Sequence, residues 1–118
     1  MRHAGIPAGV HVLLERDGRV LLMRRAGTGF FDGLYSLPGG HVEEGESLRT
    51  TAMREMREEL GIEVAVGEQI GTVRHAYTHF RITLYAFACC IIAGEPAALG
   101  CADWAWVTLD ELDRYAFP

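Results

Sequence analysis

Three carboxylates at helical spacing, Glu55, Glu58 and Glu59, stand beside Arg54 in the stretch TTAMREMREELGI. Glu55 and Glu59 are i,i+4 neighbours and Glu55 and Glu58 are i,i+3 neighbours, so each pair repels by a few tenths of a kcal/mol in an isolated helix. Such a helix has either a solvated acidic face or a use for the charge. The use would be a hard cation, since Mg²⁺ and Mn²⁺ prefer carboxylate and water oxygens. Upstream, Gly39 and Gly40 form a turn without side chains, where a backbone carbonyl or N–H can approach a metal or a phosphate. At about 100° per residue, Ala52, Met56 and Leu60, with Met53 beside them, form the face to bury. Arg54, Glu55, Glu58 and Glu59 fall on the other side. Helix geometry alone leaves the solvated face and the cation site both open.

The elements around these residues are legible in outline. A helix is predicted from about Ser47 to Leu60, stopped by Gly61 in the C′ position. Before it, VHVLLERDGRVLLMRR reads as a hairpin turning at Asp17-Gly18, a strong two-residue turn signal. AGTGFFDG is a glycine-rich loop, and LYSLPGG is a short strand ended by Pro38 and the glycine pair. After the helix, IEVAVGEQIGTVRHAYTHFRITLYAFACCII supplies two long strands, expected to be covered on both faces. AGEPAALG is a loop, DWAWV a strand, and TLDEL opens a second helix with Thr108 and Glu111 as a capping box stapled by Val107 and Leu112. The expected architecture is α/β, a mixed sheet packed between helices.

Size and composition narrow the function. The chain has 118 residues and 49% hydrophobic content, enough for one domain over 1–118 with its own core. Its net charge of -5 disfavours nucleic acid as a partner, because a broad phosphate footprint needs excess basic charge. All 11 basic residues are arginine, which removes lysine-based covalent chemistry. Cys89, Cys90 and Cys101 form no CxxC pair and read as reduced, buried thiols in a cytoplasmic protein. The opening MRHAGIPAG lacks the apolar core of a signal peptide, and no run is long enough to span a membrane.

The full spacing separates the two readings of the acidic helix. Gly40, five residues, Glu46, seven residues, then Arg54-Glu55-Met56-Arg57-Glu58-Glu59-Leu60-Gly61-Ile62 resembles the Nudix box in every defined position. The resemblance implies an α/β/α sandwich whose box forms a loop–helix–loop. It also implies an Mg²⁺- or Mn²⁺-dependent hydrolase of a nucleoside diphosphate linked to another group. By motif position, Glu58 and Glu59 resemble the main metal ligands, and Glu55 a further ligand or the base that activates water. Arg54 would orient Glu55, Glu46 would hold Arg54, and the Gly40 carbonyl would complete the metal shell. Looser similarity covers most of the chain. FFDGLYSLPGGHVEEGES resembles the entry segment of many small Nudix hydrolases, and RHAYTHFRITLYAFAC, GEP, WAWVTLDEL and YAFP are similar to the second half of MutT-type nucleotide-pool enzymes and to the C-terminal domain of MutY adenine glycosylases.

The substrate implied first is a (deoxy)nucleoside triphosphate, oxidised purines included, cleaved to monophosphate and pyrophosphate. ADP-ribose or a nucleotide sugar is the alternative within the enzyme class. A noncatalytic lesion-recognition module is the alternative outside it; the intact Glu55, Glu58 and Glu59 weigh against that. Two features depart from MutT-type enzymes and bear on the base. The sequence ends at Pro118, where they continue with an Asn or Asp, and Ala98 stands near the place of a further metal-binding glutamate. Arg24 or Arg25 is a candidate phosphate clamp. Phe31 and Tyr77 are candidates to stack on a base, and His79, sharing a strand face with Tyr77 and His75, to reach the substrate. The family resemblance leaves a homodimer open.

Overall fold

Asp17 at φ 52 and Gly18 at φ 75 supply the left-handed pair that a tight hairpin requires. They join β1 (Ala8–Arg16) to β2 (Arg19–Arg24), with Arg16 opposite Arg19, as the sequence predicts. The computed structural model describes residues 7–25, 33–76 and 81–115. Further strands are β3 (Tyr35–Ser36), β4 (Gly39–His41), β5 (Glu63–Ala76), β6 (Arg81–Ala93) and β7 (Asp103–Val107). The helices are α1 (Leu48–Leu60) and a 3-10 helix (Leu109–Arg114).

The strands form one mixed sheet in the order β3-β2-β1-β6-β5, with β4 paired to β1 and β7 to β2. β1 and β6 run parallel, from Ala8 opposite Thr83 to Leu14 opposite Cys89; the other pairings are antiparallel. A parallel pair needs a long crossover, and α1 lies within it. Period-2 alternation puts Val10, Val12 and Leu14 of β1 on one face, all buried. Ala52, Met56 and Leu60 of α1 are 0% exposed and belong to the same core, with Leu21, Ile62 and Phe87. Each such large side chain contributes about 1.5–3 kcal/mol, so the helix is held by its apolar face despite its charged one.

Both ends of α1 are fixed locally. Ser47, at φ -78 and ψ 161, accepts from the Thr50 N–H at 3.1 Å, the N-cap bond. Gly61 takes φ 69, and the N–H groups of Gly61 and Ile62 donate to the carbonyls of Arg57 and Met56 at 3.0 and 3.2 Å. That paired closure is the Schellman motif.

Several expectations are corrected. The glycine pair does not merely end a strand: Gly39–His41 is itself a strand on β1, Gly39 opposite His11. The segment after β7 is a six-residue 3-10 helix with none of its residues buried, capped where Glu111 Oε1 accepts from the Thr108 N–H at 2.9 Å. β5 is not covered on both faces. It is an edge strand, residues 67–74 are exposed, and its pairing with β6 is broken by irregularities between Val66 and Gln69 and between Gln69 and Gly71. Cys89 and Cys101 are buried, but Cys90, one residue on, faces solvent.

Candidate active site

The site is built where the β4 loop meets the charged side of α1. Arg54 is 17% exposed at its side chain and Glu46 11%, and the pair is bidentate. Nε donates to Glu46 Oε2 at 2.6 Å and Nη2 to Glu46 Oε1 at 3.0 Å, the fork geometry that suits Arg to a carboxylate. Nη2 also donates to the His41 carbonyl at 2.9 Å. Nη1 donates to Glu55 Oε2 at 2.8 Å and Glu58 Oε1 at 3.0 Å. A guanidinium has five N–H donors, and these bonds use all of them.

Glu46 is held in turn from the loop and the helix. Its Oε1 accepts from the Glu43 N–H at 3.0 Å and from the Thr51 hydroxyl at 2.7 Å. Thr51 is 0% exposed, and its place beneath the motif is not apparent from the sequence. The Arg54 hydrogen bonds hold the Glu46 carboxyl down to about 2, against the opposing effect of burial. Hydrogen bonding to Glu46 likewise raises the Arg54 pKa further above its already high ordinary value. Both groups are therefore charged at neutral pH.

Glu55 and Glu59 are displaced the other way. Burial raises the Glu55 carboxyl, with Arg54 opposing and the neighbouring glutamates adding to the rise. Burial also raises Glu59; Arg25 opposes, and Glu58 adds. The helical wheel places Glu55 on the solvated side, yet its side chain is only 13% exposed, because the β4 loop covers it. A Cβ on Gly40 would overlap the carboxyl carbon and both oxygens of Glu55. Only glycine leaves that space.

Glu58 is 59% exposed at its side chain and is held from one side by Arg54. Arg54 draws Glu55 and Glu58 together, while the Glu59 carboxylate lies against Gly100. As the side chains stand, no three acidic, His or Cys groups among the described residues close on one point. The donor set still fits a hard cation: oxygen ligands on one helix face, two of them destabilised as anions, beside a glycine that clears room. Glu43 and Glu63 are rim residues, 3.7 Å from Arg54 and 2.9 Å from Arg57 respectively.

The flanking candidates divide. Arg25 lies close enough to Glu59 to lower its pKa. Arg24 ends β2 opposite Tyr35 and Asp103, and its Nε is buried without a hydrogen-bond partner among the described residues. Phe31, Tyr77 and His79 lie outside the described residues. Trp104 and Trp106 pack against the core.

A mixed α/β sheet carrying a glutamate-lined helix behind a glycine loop defines a Nudix-type fold. The family model described as NUDIX domain matches residues 9–118, and the chain belongs to that family. It is 41% identical over 78 residues to a CTP pyrophosphohydrolase of Escherichia coli, an alignment covering 66% of this chain and 58% of that one. The chain thus spans under two-thirds of that relative's length. It is 38% identical over 102 residues to a putative 8-oxo-dGTP diphosphatase 2 of Mycobacterium tuberculosis, covering 84% and 71% of the two chains. The solution structure of the E. coli ORF135 protein superposes with a TM-score of 0.77 at 33% identity, covering 93% of this chain and 79% of that one.

Proposed function

We propose that this chain hydrolyses a (deoxy)nucleoside triphosphate to the monophosphate and pyrophosphate, with Mg²⁺ or Mn²⁺ as cofactor. One observation carries the reading: the five-bond Arg54 hub, which fixes Glu55 and Glu58 on the helix face that also bears Glu59. A structural ion pair would need only Glu46. The remaining bonds of Arg54 orient acids that are costly to keep charged.

Glu58 and Glu59, with Glu55 and the Gly40 carbonyl, would hold the cation. Such a cation neutralises phosphate oxygens and makes a bound water more acidic. Glu55 is the candidate base, because its raised pKa brings it nearer to neutral pH. Arg54 keeps that carboxylate oriented, and the candidate phosphate contacts are Arg24, ending β2 opposite Asp103, and Arg25, just past it and near Glu59. Positioning and electrostatics are the main requirements of such a displacement. Phe31, Tyr77 and His79 remain candidates for the base. The relatives named for CTP and 8-oxo-dGTP support a triphosphate and leave the base open. Three free cysteines accord with a reducing, cytoplasmic setting.

The test is a nucleotide panel with Mg²⁺ that includes CTP, dGTP, 8-oxo-dGTP, ADP-ribose and a nucleotide sugar. Pyrophosphate released from a triphosphate is the expected result. Turnover confined to ADP-ribose or nucleotide sugars would transfer the assignment to that substrate class. Binding to damaged duplex DNA without metal or turnover would replace it with a recognition role.

A further inference from the structure

The loop between β6 and β7 closes on the C-terminal turn of α1 mainly through backbone hydrogen bonds. The Ala97 N–H donates to the Leu60 carbonyl at 2.9 Å, and the N–H groups of Leu99 and Gly100 both donate to the Glu59 carbonyl at 3.1 Å. The Cys101 thiol stands 3.7 Å from the same carbonyl. Helix ends leave carbonyls without partners; here the loop meets that need most fully at Glu59.

The contact extends to the Glu59 side chain. A Cβ on Gly100 would overlap Glu59 Oε2, and would stand 3.1 Å from its Cδ and 3.0 Å from the Glu58 carbonyl. The backbone of Gly100 does not require glycine, since its φ lies outside the left-handed range. Space is the constraint, and the group that would give way is a carboxylate at the end of a flexible side chain. Glu59 has no hydrogen bond to Arg54 of the kind that holds Glu55 and Glu58.

We infer that Gly100 is a positioning residue for the reaction: its bare backbone seats the Glu59 carboxylate that Arg54 does not hold. The inference rests on the reading of Glu59 as a cation ligand. A side chain at position 100 displaces that carboxylate while the fold absorbs the change. The loop then orients one ligand of the acidic face, and the Arg54 hub orients the others.

Gly100→Ala in the full chain tests this, with Mn²⁺ affinity measured by electron paramagnetic resonance of the free ion. The expected result is a Mn²⁺ Kd weakened by about tenfold or more, as for other groups that orient metal ligands, with cooperative thermal unfolding retained. A Kd within twofold of wild type overturns the inference. Glu59→Gln is the parallel control: wild-type Mn²⁺ affinity there overturns the ligand reading itself. If Gly100→Ala is poorly folded, its stability is compared in wild-type and Glu59→Ala backgrounds. Loss of the penalty when the carboxylate is absent supports the seat; an equal penalty in both backgrounds places the clash at the Glu58 carbonyl and overturns it.

Discussion

Glu46→Gln should both destabilise the protein and flatten its acid response. In the wild type the Glu46 carboxyl titrates near 2 in place of 4.5. The unfolded chain therefore takes up this proton first as pH falls. The contribution is fully present above the unfolded value of 4.5 and is lost as pH drops toward 2. At 1.36 kcal/mol per pH unit, the linkage has a ceiling of about 3 kcal/mol. Solvent screening at the loop rim reduces this to about 2 kcal/mol. For a domain of this size that corresponds to a melting temperature lower by about 8 °C at pH 7. Gln keeps a carbonyl for Thr51 but cannot accept charge-assisted bonds from Nε and Nη2 of Arg54. Thermal unfolding followed by circular dichroism from pH 7 to pH 2 is the assay. The wild-type and Glu46→Gln curves should converge at the acid end. Equal melting temperatures at pH 7, or a gap that stays constant down to pH 2, would refute the reasoning.

Glu58→Gln and Glu59→Gln should each lower kcat by orders of magnitude; near-wild-type turnover in both would remove them from the site. In the absence of metal, Glu59→Gln should be at least as stable as wild type at pH 7. Burial raises the Glu59 pKa, so its ionised form costs stability as pH rises; a large fall in melting temperature would contradict that sign. Gly40→Ala should displace the buried Glu55 carboxylate and cut kcat by about 10²-fold, the scale expected of a misplaced catalytic group; an unchanged kcat would sink the cradle. Brief iodoacetamide treatment of folded protein should label Cys90 and spare Cys89 and Cys101, whose thiols burial makes less acidic. Peptide mass spectrometry reads the outcome, and equal labelling of all three would contradict the packing.

The local features were legible because local chemistry decides them. Ser47, Gly61 and Asp17-Gly18 mark their own caps and turn. The box spacing singles out Glu46, Arg54, Glu55, Glu58 and Glu59, and four of these five meet in the Arg54 hub. Features decided by distant partners were not legible. Gly39–His41 has weak strand propensity and pairs because a bare backbone fits against β1, where a Cβ at Gly39 would overlap the Val10 carbonyl. Glu55 is buried by a loop that a helical wheel does not contain. The apolar run of β5 resembles a covered strand, but it lies at the sheet edge with no neighbour beyond it among the described residues. Gly100 was hidden for the same reason, since nothing in AALGCAD marks a contact with a helix forty residues earlier.

The Arg54 hub also bears on motion. Its bonds to the His41 carbonyl and Glu46 lie on the loop, and those to Glu55 and Glu58 on the helix. Swinging the loop away would strand several guanidinium donors at once, so it cannot fray one bond at a time. Loop and helix should open as a single cooperative unit, with the Glu43 amide, which donates to Glu46, exchanging at a rate set by α1. In this protein α1 ties down the segment from His41 to Glu46 on one side, while β1 holds its start on the other.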